Sequence, residues 1–400
     1  MTRRRFLLQG AAGALAVASG WPLSSRAEGM SPLESELSEW EAFGWHWTGS
    51  AAQKSSAEWL AQKASSAGLR CELQTFDVDV LSVATCVVQD DHHIAVGLPL
   101  LNHAATSPAG LAGKLALPPA EGDIALLALP PQTRVEQALA ANLTAKSGAA
   151  YSGFVIVTTG AAPGLAPLDV QGKALPLPVV QVSSDALSWL SAAADHNANV
   201  TLVADFTRDA GTGQNVIAVK RGLDINATPM VVATAISGWG PCVGERGGDA
   251  AIWLQVASAL AESPPQRGVV MVALSGDELG GVGRDAFNRH FSELAPHAIG
   301  WLELGANLGA RYSTVQIEAD DSPLGDILAR RMTLEGIRFE RRKAAPDNAP
   351  DRVVTRVGIK ASPAPLFHLP GDRLPGAVDL RALGSIGAAC AKTVVEFAQS

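Results

Sequence analysis

The sequence predicts an α/β protein in which buried parallel strands alternate with helices. Two apolar runs, residues 269–274 and 299–304, have the length and hydrophobicity of strands that are buried on both faces. Helical patterns occupy residues 51–67, 250–260 and 378–398, and Gly68 closes the first of them. Because 47% of the 400 residues are hydrophobic, the chain can bury a large core and form more than one domain.

Acidic residues lie at the ends of both predicted strands. Asp277 and Glu278 follow the first run after a Ser-Gly pair, and Glu303 lies near the end of the second. Open α/β sheets bind ligands at the carboxyl ends of their strands. Two neighbouring carboxylates there can hold a metal ion and move a proton. The doublet is equally compatible with a simple cap on a helix that begins near Gly280.

These residues, together with His368 and Asp372, resemble the motifs of the zinc aminopeptidase and glutamate carboxypeptidase family. In that family Glu-Glu-x-Gly follows a core strand, and its two acids are the general base and a zinc ligand. The resemblance gives Asp277 the position of the base and Glu278 that of the ligand. Glu303 takes the position of a ligand Asp at a strand end. His368 takes that of the last ligand, and Asp372 keeps the Asp of the same motif.

The resemblance also implies an architecture. It predicts a three-layer zinc-exopeptidase-like domain with a mixed, mostly parallel sheet, formed by residues 28–82 and 206–400. It further predicts an inserted β-rich protease-associated domain at residues 83–205. The short β-rich runs of that insert, which alternate with loops of Gly, Ala and Pro, are residues 123–129, 153–158 and 178–182.

The first ligand motif of the family is not preserved. Residues 231–237 correspond to the family's Val-Val-x-x-His-x-Asp, but Ala235 replaces the histidine and Ser237 the aspartate that would orient it. Alanine has no donor atom, and the residue that would fix a ligand is also lost. Counting back from the helix at 250–260 puts Glu245 at the position of the bridging carboxylate. A shift of one or four residues would put Arg246 or Asp249 there, and an exposed glycine-rich loop is an equal alternative.

The resemblance therefore implies at most one zinc ion. Glu245, Glu278 and His368 would hold it, and a fourth position would stay open for water. Asp277 would activate that water. Glu303 would bind the substrate amine or a weak second metal. Loss of the second metal removes the two-metal clamp on the attacking and leaving oxygens.

Two functions follow from this pattern. The first is an exported metallo-exopeptidase, an aminopeptidase that cleaves a peptide or small amide with one zinc ion. The second is a catalytically inactive relative that keeps the fold and binds peptides or a protein partner. The retained acids and His368 favour the first, and Ala235 favours the second. No Gly-x-Ser-x-Gly occurs, so the sequence gives no sign of a nucleophile-elbow serine hydrolase.

The N-terminal segment, residues 1–27, resembles a twin-arginine export signal and predicts a periplasmic or secreted protein. Its apolar run is short and rich in Gly and Ala, so we expect no stable membrane anchor. It holds four arginines and no acidic residue, so its removal takes the formal net charge from −8 to −12. This acidic balance, without a long basic run, argues against a nucleic-acid partner.

Overall fold

The computed structural model describes residues 30–400 apart from residues 171, 173, 293 and 344–354, so the predicted export signal lies outside the described residues. The helices are α1 Pro32–Phe43, α2 Ala51–Ser66, α3 Val135–Ala141, α4 Leu187–Asp195, α5 Gly248–Glu262, α6 Val282–His290, α7 Leu294–His297, α8 Pro323–Leu334 and α9 Leu380–Ala398. The strands are β1 Arg70–Gln89, β2 Ile94–Pro99, β3 Leu111–Ala116, β4 Ile124–Leu129, β5 Gly153–Thr158, β6 Val179–Val182, β7 Asn199–Lys220, β8 Met230–Ala235, β9 Val269–Leu274, β10 Trp301–Leu304, β11 Val315–Ala319, β12 Phe339–Arg342 and β13 Arg356–Ala361. No helix within these described stretches is both long and apolar enough to span a lipid bilayer.

The elements that the sequence predicts are confirmed, with small shifts at their ends. Strand β9 covers residues 269–274 as expected, and β10 starts two residues later than its apolar run. Helix α2 begins after Ser50, whose hydroxyl accepts a hydrogen bond from the Gln53 N–H at 3.0 Å. Helix α9 begins after Asp379, which caps it in the same way. The apolar periodicity and the capping residues are thus sufficient to locate these elements.

The described chain divides into two units. Unit 1 comprises residues 78–211 and 278–280, and unit 2 comprises the remaining described residues. The insert predicted at residues 83–205 lies within unit 1. Its relation to protease-associated domains stays a prediction.

Unit 1 contains a sheet with a parallel centre. Strands β3, β4, β5 and β6 are parallel neighbours in this order, and β2 pairs antiparallel with β6. Both faces carry a hydrophobic cluster, one packed against α4 and the other against α3. Burial on both faces explains why the sequence of β5 is a continuous apolar run.

Unit 2 has three layers. Its strands lie in the order β7-β9-β8-β10-β13-β11-β12; the four from β9 to β13 in this order are parallel, and β7 and β11 are antiparallel to their inner neighbours. One face packs against α1, α2, α5, α8 and α9, and the other against α6 and α7. The predicted mixed, mostly parallel sheet between helical layers is confirmed.

The strand order of unit 2 changes direction at β8. The chain passes from β8 through α5 to β9 on one side, and then crosses to β10 on the other side of β8. The loops that follow β8 and β10 therefore leave the same edge of the sheet in opposite directions. Such a point creates a crevice at the carboxyl edge, where α/β proteins bind their ligands.

The loop between α1 and α2 is fixed by a buried histidine. The ring of His46 stacks on Trp40 at 4.0 Å, and its nitrogens lie 3.3 Å from the Ser56 hydroxyl oxygen and 3.2 Å from the Trp40 carbonyl oxygen. Burial lowers the pKa of His46 to about 3, so the ring is neutral in the folded protein near neutral pH. His46 is therefore a packing residue that holds the adjacent segment in place.

Asn215 connects three segments at the carboxyl end of β9. Its side-chain oxygen accepts a hydrogen bond from the Ser275 N–H at 2.9 Å, and its amide group donates to the Gly283 carbonyl at 2.8 Å and to Gln74 Oε1 at 2.9 Å. Gly283 lies so close to the end of β9 that a β-carbon on it would be 2.0 Å from the Ser275 carbonyl oxygen. These contacts fix the turn that carries Asp277.

We predict that Gly283→Ala destabilises the protein by about 2 kcal/mol or more, because the added methyl group meets backbone that cannot move without breaking the Asn215 contacts. Gly384→Ala in α9 is the matched control. Its β-carbon would approach only Leu33 Cδ2, at 3.9 Å, so we expect a gain of up to about 1 kcal/mol from helix propensity. Urea denaturation of both variants measures the difference, and equal unfolding free energies would contradict the prediction.

Candidate functional site

A π-helical turn, Val243–Gly247, carries the candidate site residues between β8 and α5. The N–H groups of Arg246 and Gly247 both donate to the Cys242 carbonyl, at 2.8 and 3.0 Å. A turn of this kind is wider than an α-helical turn and inserts an extra residue. Both Glu245 and Arg246 are buried.

The side chain of Asp372 binds the backbone of this turn. One carboxylate oxygen accepts from the Gly244 N–H at 2.8 Å and the other from the Glu245 N–H at 3.0 Å. On the opposite side, the Asn307 N–H donates to the Glu245 carbonyl at 3.0 Å, which connects the turn to the loop after β10. Burial, helped by the charge of Glu245, raises the pKa of Asp372 to about 7. The turn therefore lies in the crevice between β8 and β10.

The Glu245 carboxylate lies between two cationic or potentially cationic side chains. Its Oε1 atom is 3.2 Å from Arg246 Nε and 3.4 Å from His368 Nε2. Burial raises the pKa of Glu245, but the charges of His368 and Arg246 outweigh that effect and leave the pKa below its usual value. The carboxylate is therefore ionised although it is buried.

Arg246 also binds the predicted base. Its Nη2 donates to Asp277 Oδ2 at 2.6 Å, so the guanidinium connects a buried carboxylate with one whose side chain is 48% exposed. The turn of Asp277 is held by Ser237, whose hydroxyl accepts from the Gly276 N–H at 2.8 Å. Ser237, at the position where the resembling family has an aspartate, thus fixes backbone at this edge.

Glu303 forms a separate ion-pair cluster. Its Oε1 is 2.8 Å from Arg284 Nη1 and 3.4 Å from Arg356 Nη1. The Arg356 guanidinium also lies over the Trp301 ring, 4.9 Å from its centre. The carboxylate that was predicted to bind the substrate amine or a weak second metal is therefore neutralised by two arginines.

The structure also places Asp249, the alternative to Glu245, and Glu278, the other predicted carboxylate ligand. Asp249 lies in α5, where its Oδ1 accepts from the Leu308 N–H at 3.2 Å and burial raises its pKa well above the usual range. Glu245, not Asp249, faces His368. Glu278 belongs to unit 1, where its carbonyl accepts from the Val170 N–H at 3.2 Å.

The residues present do not fit a zinc centre. Zinc requires three or four deprotonated ligands that converge on one point at about 2.0–2.3 Å. Among the residues that the structure describes, no group of three or more His, Cys, Asp or Glu side chains has that arrangement. The structure brings together Glu245 and His368, but Arg246 contacts the same carboxylate and repels a cation.

Strained backbone surrounds this site. Cys242, Asn307 and His368 have φ angles of 38°, 67° and 62°, in the left-handed region that residues other than glycine rarely adopt. Each lies in a loop that contacts the Glu245 turn or carries one of its partners. Such strain costs on the order of 1–3 kcal/mol per residue and clusters at functional sites.

No sequence pattern indicated the roles of Arg284 and Arg356. Their partner, Glu303, is 19 and 53 residues away in the chain, respectively. Arg284 follows the Gly-rich stretch after the acidic doublet, and Arg356 begins β13 next to β10. The pair between Glu303 and Arg356 could be predicted only if β10 and β13 were known to be neighbouring strands.

The sequence matches no protein-family model and no curated protein. The fold is nevertheless similar to that of solved structures. A zinc aminopeptidase from Bacillus subtilis, BSAP, matches with a TM-score of 0.73 and 18% identity, covering 92% of this chain and 94% of that chain. A Peptidase M28 precursor from Shewanella amazonensis SB2B matches with a TM-score of 0.71 and 16% identity, covering 92% of both chains. An aminopeptidase from Aneurinibacillus sp. strain AM-1 matches with a TM-score of 0.65 and 14% identity, covering 92% and 93%. The chain therefore has the fold seen in zinc aminopeptidases.

We predict that Asp372→Asn destabilises the protein by about 1–3 kcal/mol at about pH 5, below the pKa of Asp372, because an amide can accept only one of the two backbone N–H groups that bind the carboxyl oxygens. The loss should become smaller as the pH rises through about 7, because burial and the charge of Glu245 make the ionised form of Asp372 itself destabilising. Asp379→Asn is the matched control. A single oxygen of Asp379 accepts from both Arg381 and Ala382, at 3.0 Å each, and asparagine keeps that oxygen. Urea denaturation should show a loss for the first variant and a change within about 0.5 kcal/mol for the second. Equal losses would show that Asp372 does not hold the turn.

Proposed function

We propose that this chain is a peptide-binding relative of the zinc aminopeptidases that does not hydrolyse peptides by their two-metal route. One observation carries the proposal: Arg246 binds both Glu245 and Asp277, the residues at the positions of the bridging ligand and the base. A base must reach the water that it activates. Here the carboxylate of Asp277 is already bonded to a guanidinium.

The lost ligands support the same conclusion. Ala235 ends β8 without a donor atom, and Glu303 is paired with Arg284 and Arg356. By the resemblance, both metal positions require Glu245, and the second position also requires the residues that are Ala235 and Glu303 here. A fold does not by itself imply a function. The chemistry of these side chains is therefore a better guide to the function than the similarity of the fold to aminopeptidases.

An aromatic rim supports peptide binding. Trp45 and Trp47 are in edge-to-face contact at 5.6 Å, and the Trp45 side chain is 39% exposed. His46, which lies between them, pairs with the loop after β8: its N–H donates to the Gly240 carbonyl at 3.0 Å, and its carbonyl accepts from the Gly238 N–H at 3.3 Å. A β-carbon on Gly238 would lie 3.2 Å from Glu245 Oε1. An exposed tryptophan on a segment that pairs with the loop beside Glu245 is a typical anchor for a peptide side chain.

A second candidate is an aminopeptidase with one zinc ion bound by Glu245 and His368. The separation of 3.4 Å between Glu245 Oε1 and His368 Nε2 favours it, because two ligands of one tetrahedral zinc ion lie roughly that far apart. Its substrate would be a peptide or a small amide.

The deciding experiment measures zinc content, hydrolysis and binding on the purified full chain. We expect no bound zinc after dialysis, no release of p-nitroaniline from amino-acid p-nitroanilides, and binding of the tripeptides Leu-Gly-Gly or Lys-Gly-Gly by calorimetry. About one zinc per chain, with hydrolysis that Asp277→Asn abolishes, would establish the second candidate instead. No binding of any tripeptide would contradict the proposal.

The exposed side chain of Trp45 allows a more specific prediction. Trp45→Ala should weaken tripeptide binding roughly fivefold or more, because an aromatic anchor is lost, and should leave the melting temperature nearly unchanged because the side chain is partly exposed. Leu334→Ala, which removes another exposed apolar side chain at the end of α8, is the control and should leave binding unchanged. Equal affinities of the two variants would exclude the rim as the binding surface.

We also propose that the protein is exported through the twin-arginine route, on the basis of residues 1–27. Mass spectrometry of the periplasmic fraction should then find a mature N-terminus at residue 28. Replacement of Arg4 and Arg5 by lysine should retain the full-length chain in the cytoplasm, and a mature protein that still reaches the periplasm would contradict the proposal.

A further inference from the structure

Arg246 stands at the centre of the charged groups in the crevice. Its Nε is 3.2 Å from Glu245 Oε1, and its Nη2 is 2.6 Å from Asp277 Oδ2. His368 approaches the same Glu245 oxygen at 3.4 Å. Two carboxylates are thus bound by one guanidinium, beside an imidazole.

The disagreement between this arrangement and the metal centre expected for the fold has a simple physical explanation. We infer that Arg246 is a built-in cation that occupies the place of a metal ion, so that the site keeps its charge balance without metal. Glu245 is buried and lies 3.2 Å from Arg246 Nε, and a buried carboxylate requires a positive partner at short range. A guanidinium is always charged and binds carboxylates through a fork of N–H groups, and its supply does not depend on free metal.

The geometry supports the inference that Arg246 takes the place of a metal ion and is more than an ordinary ion-pair partner. The Glu245 and His368 donor atoms lie at the separation, roughly 3.3–3.5 Å, that two ligands of one tetrahedral zinc ion adopt. The turn that presents Glu245 is fixed independently of Arg246, by Asp372 and Asn307. The donors should therefore stay in place when the arginine side chain is removed.

This inference predicts a latent metal site. In Arg246→Ala the cation is lost and space opens beside Glu245 and His368, two side chains that can bind zinc while water completes its coordination. We expect Arg246→Ala to lower the melting temperature by roughly 5 °C or more in zinc-free buffer, because a buried carboxylate loses its partner. Added zinc chloride should raise it again through linkage, whereas magnesium chloride should not, since magnesium prefers oxygen ligands.

Four further samples act as controls in the same thermal-unfolding experiment. The unchanged chain should shift by less than about 1 °C with zinc or with a chelator. Glu245→Gln combined with Arg246→Ala should melt higher than Arg246→Ala alone and should not respond to zinc, because the unpaired charge and a ligand are both removed. His368→Ala combined with Arg246→Ala should lose the zinc response. Arg284→Ala, which breaks the more exposed pair with Glu303, should change little and should not respond to zinc.

The possible outcomes decide the inference. A zinc response in Arg246→Ala that is absent from the unchanged chain supports it. The same response in both, or none in Arg246→Ala, overturns it. If Arg246→Ala does not fold, folding of the variant that also carries Glu245→Gln supports the inference, and failure of both overturns it. These measurements involve no peptide, so they stand apart from the proposed function even though they concern the same residues.

Discussion

The structure around the crevice depends on the charge of one buried carboxylate. Transfer of an ionised side chain out of water costs several kcal/mol unless a partner compensates for it. Arg246 and His368 provide that compensation for Glu245, and Arg246 extends it to Asp277. Asp372 and Asn307 hold the backbone of the same turn from two sides, so the position of the charge is fixed by contacts that do not involve the Glu245 side chain.

The fold provides the place for this arrangement. Strand β8 lies between β9 and β10, and the change of direction there opens a crevice at the carboxyl edge of unit 2. The loops at this edge contain Cys242, Asn307 and His368 in left-handed conformations. Strain of that kind persists only where the surrounding contacts enforce it. The site is therefore a well-determined part of the structure.

The similarity to zinc aminopeptidases and the chemistry of the site give different information. A sheet and its helical layers depend on the burial of many apolar side chains and tolerate extensive substitution. A metal centre depends on three or four donor atoms, each fixed to a fraction of an ångström. A fold can consequently be retained at 18% identity, and the fold by itself does not determine what the crevice binds.

The sequence by itself determined the α/β class, the strand at 269–274, the amphipathic helix near the C-terminus and the lack of a donor at Ala235, because each depends on local periodicity or on the identity of one side chain. It left open whether Glu245, Arg246 or Asp249 faces the site, since the π-helical turn inserts a residue that helical counting does not foresee. Only the tertiary structure decided that Arg246 binds Asp277, 31 residues away, and that Glu303 binds Arg284 and Arg356. Ion pairs of this range depend on which chain segments the sheet brings together, and a charged residue in a sequence does not specify its partner.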